Sequence, residues 1–78
     1  MEFDYSKLRG RIVEVYGSNS RFVAEFGGTI QNFSLKLNNK IQFSQNDIRK
    51  IIKMLNIPLE DIGTYFFTEK VSNLIPVN

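Results

Sequence analysis

The chain has no cysteine, so a domain of 78 residues has to be held together by apolar packing alone. At this size folding buries only about 60% of the surface that the unfolded chain exposes, and few apolar residues can be spared from the core. The apolar fraction of 42% and the seven phenylalanines suffice for one packed domain. Because histidine is absent too, thiol nucleophiles, imidazole catalysis and cysteine-based zinc fingers are excluded. We therefore expect no enzyme, no metal ion and no cofactor.

Basic residues are concentrated in the middle of the chain. Between Asn19 and Lys53 there are six basic and two acidic side chains, a net charge of +4, whereas the remainder has four basic and six acidic side chains, a net charge of −2. This distribution is consistent with an anionic partner and equally with an ordinary solvated surface. The longest apolar runs span only a few residues, so we expect no membrane segment and a cytoplasmic protein.

Helix-starting residues and a helical period of apolar positions predict five short helices. The candidate starts are Asp4, Ser18, Thr29, Ser44 and Pro58. The second and third helices are predicted over 19–26 and 30–38, and only Gly27, Gly28 and Thr29 separate them. The apolar pattern changes after Phe67. We therefore predict an all-α domain over residues 1–67 and an extended tail or short strand over residues 68–78.

The third predicted helix has apolar residues on two sides. On a helical wheel Phe33, Leu37 and Ile30 fall within about 60° and mark the buried side. The opposite side contains Gln31, Asn32, Leu35 and Asn38. Carboxamides match the hydrogen-bonding edge of adenine, and a leucine can contact a thymine methyl group. This face is therefore a candidate reader of DNA bases, and the alternatives are an ordinary surface and an oligomer contact.

The spacing from Asn19 to Asn39, with Gly27 at the turn and Phe33 six positions later, resembles the helix-turn-helix of small phage Cro-type and lambda-type repressors. The segments DYSKLRGRIVEVYGS, FSLKLNNK, FSQNDI and IPLEDIGTYFF extend this resemblance to the Cro-like regulators of Gram-positive phages and prophages. It implies a five-helix, lambda-repressor-like helix-turn-helix domain.

The resemblance also implies a sequence-specific transcriptional regulator that binds a double-stranded DNA operator at a phage or prophage genetic switch. The residues implied to contact bases are Ile30, Gln31, Asn32, Ser34 and Leu35. Those implied to contact phosphates are Ser18, Asn19, Lys36, Asn38 and Lys40. Such a protein would be associated with the bacterial nucleoid.

A two-fold operator further implies a homodimer. The candidate dimerisation residues are Tyr65, Phe67, Val71, Leu74 and Ile75. The alternative function is a protein-interaction module that binds another phage regulator, a repressor, through the face that contains Leu35. Two departures from the Cro-like pattern bear on this choice. Gly28 stands where an apolar residue usually plugs the turn, and Val23 stands where a small residue usually packs between the helices.

Overall fold

The computed structural model describes residues 2–70, which form five helices. In chain order the helices are α1 (Ser6–Tyr16), α2 (Asn19–Phe26), α3 (Ile30–Leu37), α4 (Gln45–Leu55) and α5 (Ile62–Phe66), and a short 3-10 helix, Leu59–Asp61, leads directly into α5. The predicted all-α class with five helices is confirmed. Within residues 2–70 the only strand-like pairing is one isolated bridge. No helix in this part of the chain is long and apolar enough to cross a membrane.

Helices α2, α3 and α4 begin at the caps that the sequence predicts. The side-chain oxygens of Ser18, Thr29 and Ser44 each accept a hydrogen bond from the backbone N–H three residues further on. At Ser44 the arrangement is reciprocal, because the carboxylate of Asp47 accepts the Ser44 N–H and completes a capping box. Each cap satisfies a backbone donor that the start of a helix leaves unpaired.

The predicted start of the first helix at Asp4 is wrong. Helix α1 begins at Ser6, and its cap position is Tyr5, which makes no side-chain cap bond. The carboxylate of Asp4 accepts the N–H of Ser6 at 2.9 Å, and this hydrogen bond lowers the pKa of Asp4. The N–H of Asp4 donates to the carbonyl of Thr68 at 2.7 Å. This long-range bond ties Asp4 to the C-terminal end of the described chain.

Aromatic rings connect the helices at the centre of the core. The ring centroids of Phe22, Phe26 and Phe33 lie 5.4 to 5.6 Å from one another and join α2 to α3. Phe43 lies 5.9 Å from Phe33 and 5.7 Å from Phe66, which is buried in α5. Such ring pairs contribute about 0.5–1.5 kcal/mol each beyond the burial of their area. The other buried residues are Tyr5, Leu8, Ile12, Val23, Leu37, Ile51, Leu55 and Ile57.

The two ends of the described chain lie side by side. Phe3 and Glu69 form an antiparallel bridge, and backbone hydrogen bonds flank it on both sides. Of the predicted tail, residues 68–78, the described part is residues 68–70, and these lie along the N-terminal segment. Residues 71–78 lie outside the described part of the chain.

Candidate functional site

The turn between α2 and α3 differs from the Cro-like pattern in its backbone. Gly27 and Gly28 both have positive φ angles, +105° and +81°, which residues with a side chain rarely adopt. A Cβ at Gly28 would meet no atom within 4 Å, so space is not the constraint. The positive φ angle is what constrains position 28, because it disfavours the apolar side chain that the Cro-like pattern usually has there.

The outer face of α3 contains the residues that the sequence places there. All five residues that the resemblance assigns to base contacts are exposed: Ile30, Gln31, Asn32, Ser34 and Leu35. Phe33 and Leu37 are buried on the opposite side, as predicted. Ile30 was expected on that buried side as well, and this expectation is wrong. It is the first residue of α3 and follows the open glycine turn, so little of the fold covers it.

The turn after α3 bonds a second exposed apolar residue, Ile41, to the backbone of Leu35. Asn39 adopts a left-handed conformation, with φ at +65°, and reverses the chain at the end of α3. The N–H groups of Lys40 and Ile41 then both donate to the carbonyl of Leu35, at 2.8 and 3.3 Å. Leu35 and Ile41 expose 43% and 39% of their surface. The turn thus bonds Ile41 to the last turn of α3 through the backbone, and both Leu35 and Ile41 are exposed apolar residues.

Asn39 also connects the end of α3 to the N-terminus. Its Oδ1 accepts the N–H of Phe3 at 2.9 Å, and its Nδ2 donates to the carbonyl of Phe3 at 2.9 Å. The carboxamide therefore pairs with Phe3 as the peptide group of a neighbouring strand would. Because Phe3 also bridges to Glu69, three distant parts of the chain meet here.

A groove of about 260 Å³ opens beside this connection. We call it the aromatic groove, and its apolar lining includes Phe3, Ile41, Phe43, Phe66 and Phe67. The ring of Phe67 stands edge-on to that of Phe3 with centroids 5.7 Å apart, and Phe67 is 52% exposed. No charged side chain lines the groove.

Lys36, which the resemblance assigns to a phosphate contact, is paired within the protein. Its Nζ lies 2.6 Å from Oδ2 of Asp47, and the two side chains are only 17% and 16% exposed. Burial is the largest influence and raises the pKa of Asp47. Hydrogen bonds from Lys36 and Ser44, with the Lys36 charge, outweigh it and hold this pKa below its usual value. The pair joins α3 to α4 and engages the only lysine on α3.

A second basic side chain is also engaged within the fold. The ammonium of Lys50 donates to the carbonyl of Phe26 at the end of α2 and lies 4.9 Å from the centroid of the Phe26 ring. Two of the six basic residues that make the middle of the chain positive therefore bind other parts of this protein.

Among residues 2–70, no acidic side chains cluster as they would around a metal ion.

Residues 1–69 match the family described as "Protein of unknown function (DUF739)". The chain belongs to this family. Among solved structures it is similar to the solution structure of the modulator of repression (MOR) of the temperate bacteriophage TP901-1 from Lactococcus lactis. The sequence identity is 38% and the TM-score is 0.76, over 92% of this chain and 97% of that chain. No curated protein matches the chain.

The similarity to a modulator of repression contradicts the prediction that this DUF739 chain is a sequence-specific DNA-binding regulator. It supports the alternative function instead, a module that binds a repressor. The Cro-like family is not confirmed, whereas the phage setting of that resemblance is supported. A physical reason for the correction lies in the basic residues. Phosphate binding depends on cations that are free to displace counterions, and Lys36 and Lys50 are engaged internally.

The other residues assigned to phosphate contacts have varied surroundings in the DUF739 chain. Ser18 caps α2, and the half-buried Asn19 has a side-chain oxygen with no partner within residues 2–70. The side-chain oxygen of Asn38 accepts a hydrogen bond from Arg9 at 3.1 Å. Lys40 is exposed and forms no ion pair within the same residues. Of the two lysines assigned to phosphate contacts, Lys36 is paired with Asp47, and Lys40 is exposed without an ion pair among residues 2–70.

The residues predicted for dimerisation do not share one surface in the described part of the chain. Tyr65 is half-buried and packs against the core. Phe67 is exposed and lines the aromatic groove. The remaining three, Val71, Leu74 and Ile75, lie outside the described residues.

Proposed function

We propose that the chain is a protein-interaction module that binds a phage repressor and modulates its action. Two exposed apolar residues carry the proposal: Leu35 on the outer face of α3, and Ile41 in the following turn, whose N–H donates to the Leu35 carbonyl. An exposed apolar pair fits the centre of a protein interface, whereas contacts to a phosphate backbone come mostly from polar and basic groups. The similarity to MOR supports a repressor as the partner. The chain would act by binding and not by catalysis, in the bacterial cytoplasm.

The polar groups around the apolar pair suit the same partner. Gln31 and Asn32 are exposed and offer hydrogen-bond donors and acceptors without charge. No acidic residue occurs between Ile30 and Asn46, and the charge of Lys36 is neutralised by its ion pair. Interface centres are depleted in charged residues in the same way. The one charge of residues 30–46 without an ion pair is therefore the exposed ammonium of Lys40.

Isothermal titration calorimetry with the purified repressor of the same phage genome tests the proposal. Leu35→Ala is expected to raise Kd by about tenfold, the effect of losing one central apolar contact. The matched control is Leu59→Ala, because Leu59 is an exposed leucine on the 3-10 helix, away from α3. It should change Kd by less than about twofold. Failure of the unmodified chain to bind the repressor would overturn the proposal.

Salt dependence provides an independent check. A protein that contacts six to ten phosphates loses about 10³- to 10⁵-fold in affinity between roughly 50 and 200 mM salt. A nearly uncharged protein interface should lose less than about tenfold in affinity over the same range.

The homodimer stays a prediction, and analytical ultracentrifugation of the chain alone tests it.

A further inference from the structure

Ile41 donates its N–H to the Leu35 carbonyl at the end of α3, and it also lines the aromatic groove. The end of α3 therefore borders the place where the two ends of the described chain meet. We call this surface the apolar strip, and it consists of Leu35, Ile41, Phe3 and Phe67 with the groove between them. Leu35, Ile41 and Phe67 are exposed, and Phe3 is half-buried. Exposed patches of apolar residues often mark interaction sites.

The charges near the apolar strip leave one positive group available. Glu2 and Lys70 lie next to the Phe3 bridge and neutralise each other at 3.3 Å. Lys40 precedes Ile41, is exposed, and has no ion-pair partner among residues 2–70. The groove itself has no charged lining residue. The strip thus has the exposed ammonium of Lys40 next to Ile41, whereas the other nearby cation, Arg9, is bound within the fold to Leu37 and Asn38.

We propose that the apolar strip docks a short segment of the repressor, in which an apolar side chain fills the aromatic groove and an acidic side chain pairs with Lys40. The inference rests on the proposed function and adds the binding site and the chemistry of the partner segment. The groove, about 260 Å³, is smaller than the roughly 300–1,000 Å³ of small-molecule sites and suits side chains. Five aromatic rings and two isoleucines line most of the groove, with the polar Asn39 and Gln42 beside them and no charged residue, which favours an uncharged, largely apolar side chain. Lys40 favours an acidic neighbour by charge complementarity.

Asn39 acts as a positioning residue for this site. It holds Phe3, one wall of the groove, through both of its carboxamide hydrogen bonds. Glycine at position 39 tolerates the left-handed backbone and removes both bonds. Because Asn39 also lines the groove itself, Asn39→Gly is expected to weaken repressor binding by about three- to tenfold.

The experiment is calorimetric titration of the full chain and its variants with the purified repressor. Phe67→Ala and Ile41→Ala should each raise Kd by about tenfold or more. Lys40→Glu should raise it by about fivefold or more at low salt, and less at high salt. The matched controls are Leu59→Ala for an exposed apolar residue and Lys53→Glu for an exposed lysine on α4. Both should stay within about twofold of the unmodified chain.

The outcomes separate this inference from the proposed function. If the unmodified chain binds and Leu35→Ala weakens binding, but the Phe67, Ile41 and Lys40 variants bind normally, the docking site is wrong and the function stands. If the unmodified chain does not bind the repressor, the function is wrong and the inference falls with it. Because the Lys40 side chain is exposed, Lys40→Glu stays informative even if Phe67→Ala lowers the melting temperature.

Two other occupants of the groove have their own signatures. A concentration-dependent dimer that Phe67→Ala abolishes would show that a second copy fills the groove, and would overturn the inference. Tighter repressor binding after truncation following Lys70 would show that the chain's own residues 71–78 compete for the site, and would overturn it as well. Unchanged binding after truncation, with a monomeric chain, supports the docked repressor segment.

Discussion

The ion pair between Lys36 and Asp47 gives a quantitative prediction for the contact between α3 and α4. Lys36→Met removes the ammonium and keeps most of the aliphatic stem. Asp47→Asn removes the charge and keeps an oxygen that can accept the N–H of Ser44. The two single variants and the double variant form a double-mutant cycle, which isolates the energy that the two charged groups contribute to each other.

We expect a coupling energy of about 1–2 kcal/mol. Exposed pairs contribute about 0.2–1 kcal/mol, and removing one partner of a fully buried pair costs about 3–5 kcal/mol. Lys36 and Asp47 lie between these limits, because their atoms are 2.6 Å apart and their side chains remain 17% and 16% exposed. In a domain of this size 1 kcal/mol shifts the melting temperature by about 4–8 °C, so the coupling is measurable by thermal or urea denaturation.

The pH dependence of stability provides a second readout. Burial raises the pKa of Asp47, but Lys36 and Ser44 outweigh it, so the pKa in the folded protein lies below its usual value. The carboxylate therefore stabilises the fold above the unfolded-state pKa of about 3.9. This contribution is lost as the pH falls through the lower pKa of the folded state. The free energies of unfolding of the unmodified chain and Asp47→Asn should differ most near about pH 7 and converge below about pH 4.

A coupling energy below about 0.3 kcal/mol, the range in which independent sites add, would refute the reasoning. Glu14→Gln provides a comparison, since Glu14 pairs with Arg11 at 3.0 Å on the exposed surface of α1. It should lower the free energy of unfolding by no more than about 0.5 kcal/mol. Lys36→Met should also keep repressor binding within about threefold. A larger loss would show that the ammonium leaves Asp47 to contact the partner.

Five other substitutions test the backbone and the two faces of α3 by urea denaturation. Gly10→Ala should raise the free energy of unfolding by about 0.5–1 kcal/mol, because a Cβ within α1 would meet no atom within 4 Å. Gly27→Ala should lower it by about 1–3 kcal/mol, because φ +105° with ψ 163° is essentially restricted to glycine; a stabilising effect would contradict this. Leu35→Ala should cost less than about 1.5 kcal/mol, against about 3–5 kcal/mol for Phe33→Ala, and equal losses would place Leu35 in the core. Asn39→Gly should cost about 1–3 kcal/mol through its two lost hydrogen bonds, and no loss would contradict the role given to them.

The features that depend on local chemistry were predictable from the sequence. Helix α2 has the predicted bounds, because the cap at Ser18 and the glycine at position 27 both act within one turn of the helix. The capping box at Ser44 is likewise a contact over three residues. Helix α1 begins at Ser6, later than predicted, and the bond from Asp4 to Thr68 spans a distance that no local pattern indicates.

The candidate site was predictable only in part, for the same reason. The helical wheel identified the outward position of Leu35, which depends on the local helix geometry alone. The neighbouring Ile41 depends on the left-handed turn at Asn39, which an Asn-Asn pair at a helix end could have suggested. The aromatic groove depends on Phe3 meeting Asn39 and Phe67, and chain positions so far apart leave no periodic signal.

The correction of the function follows from where the charges lie. A lysine on the third helix indicates a free cation when the sequence alone is considered, and a free cation beside carboxamides suits DNA. Lys36 and Asp47 are 11 residues apart, and only the packing of α3 against α4 brings their charged atoms to 2.6 Å. Once that charge is neutralised, the outward Leu35 shares its helix face with uncharged amides, and Ile41, bonded to its carbonyl, leads into the aromatic groove. Those neighbours offer little to a phosphate backbone and suit the apolar centre of a protein interface.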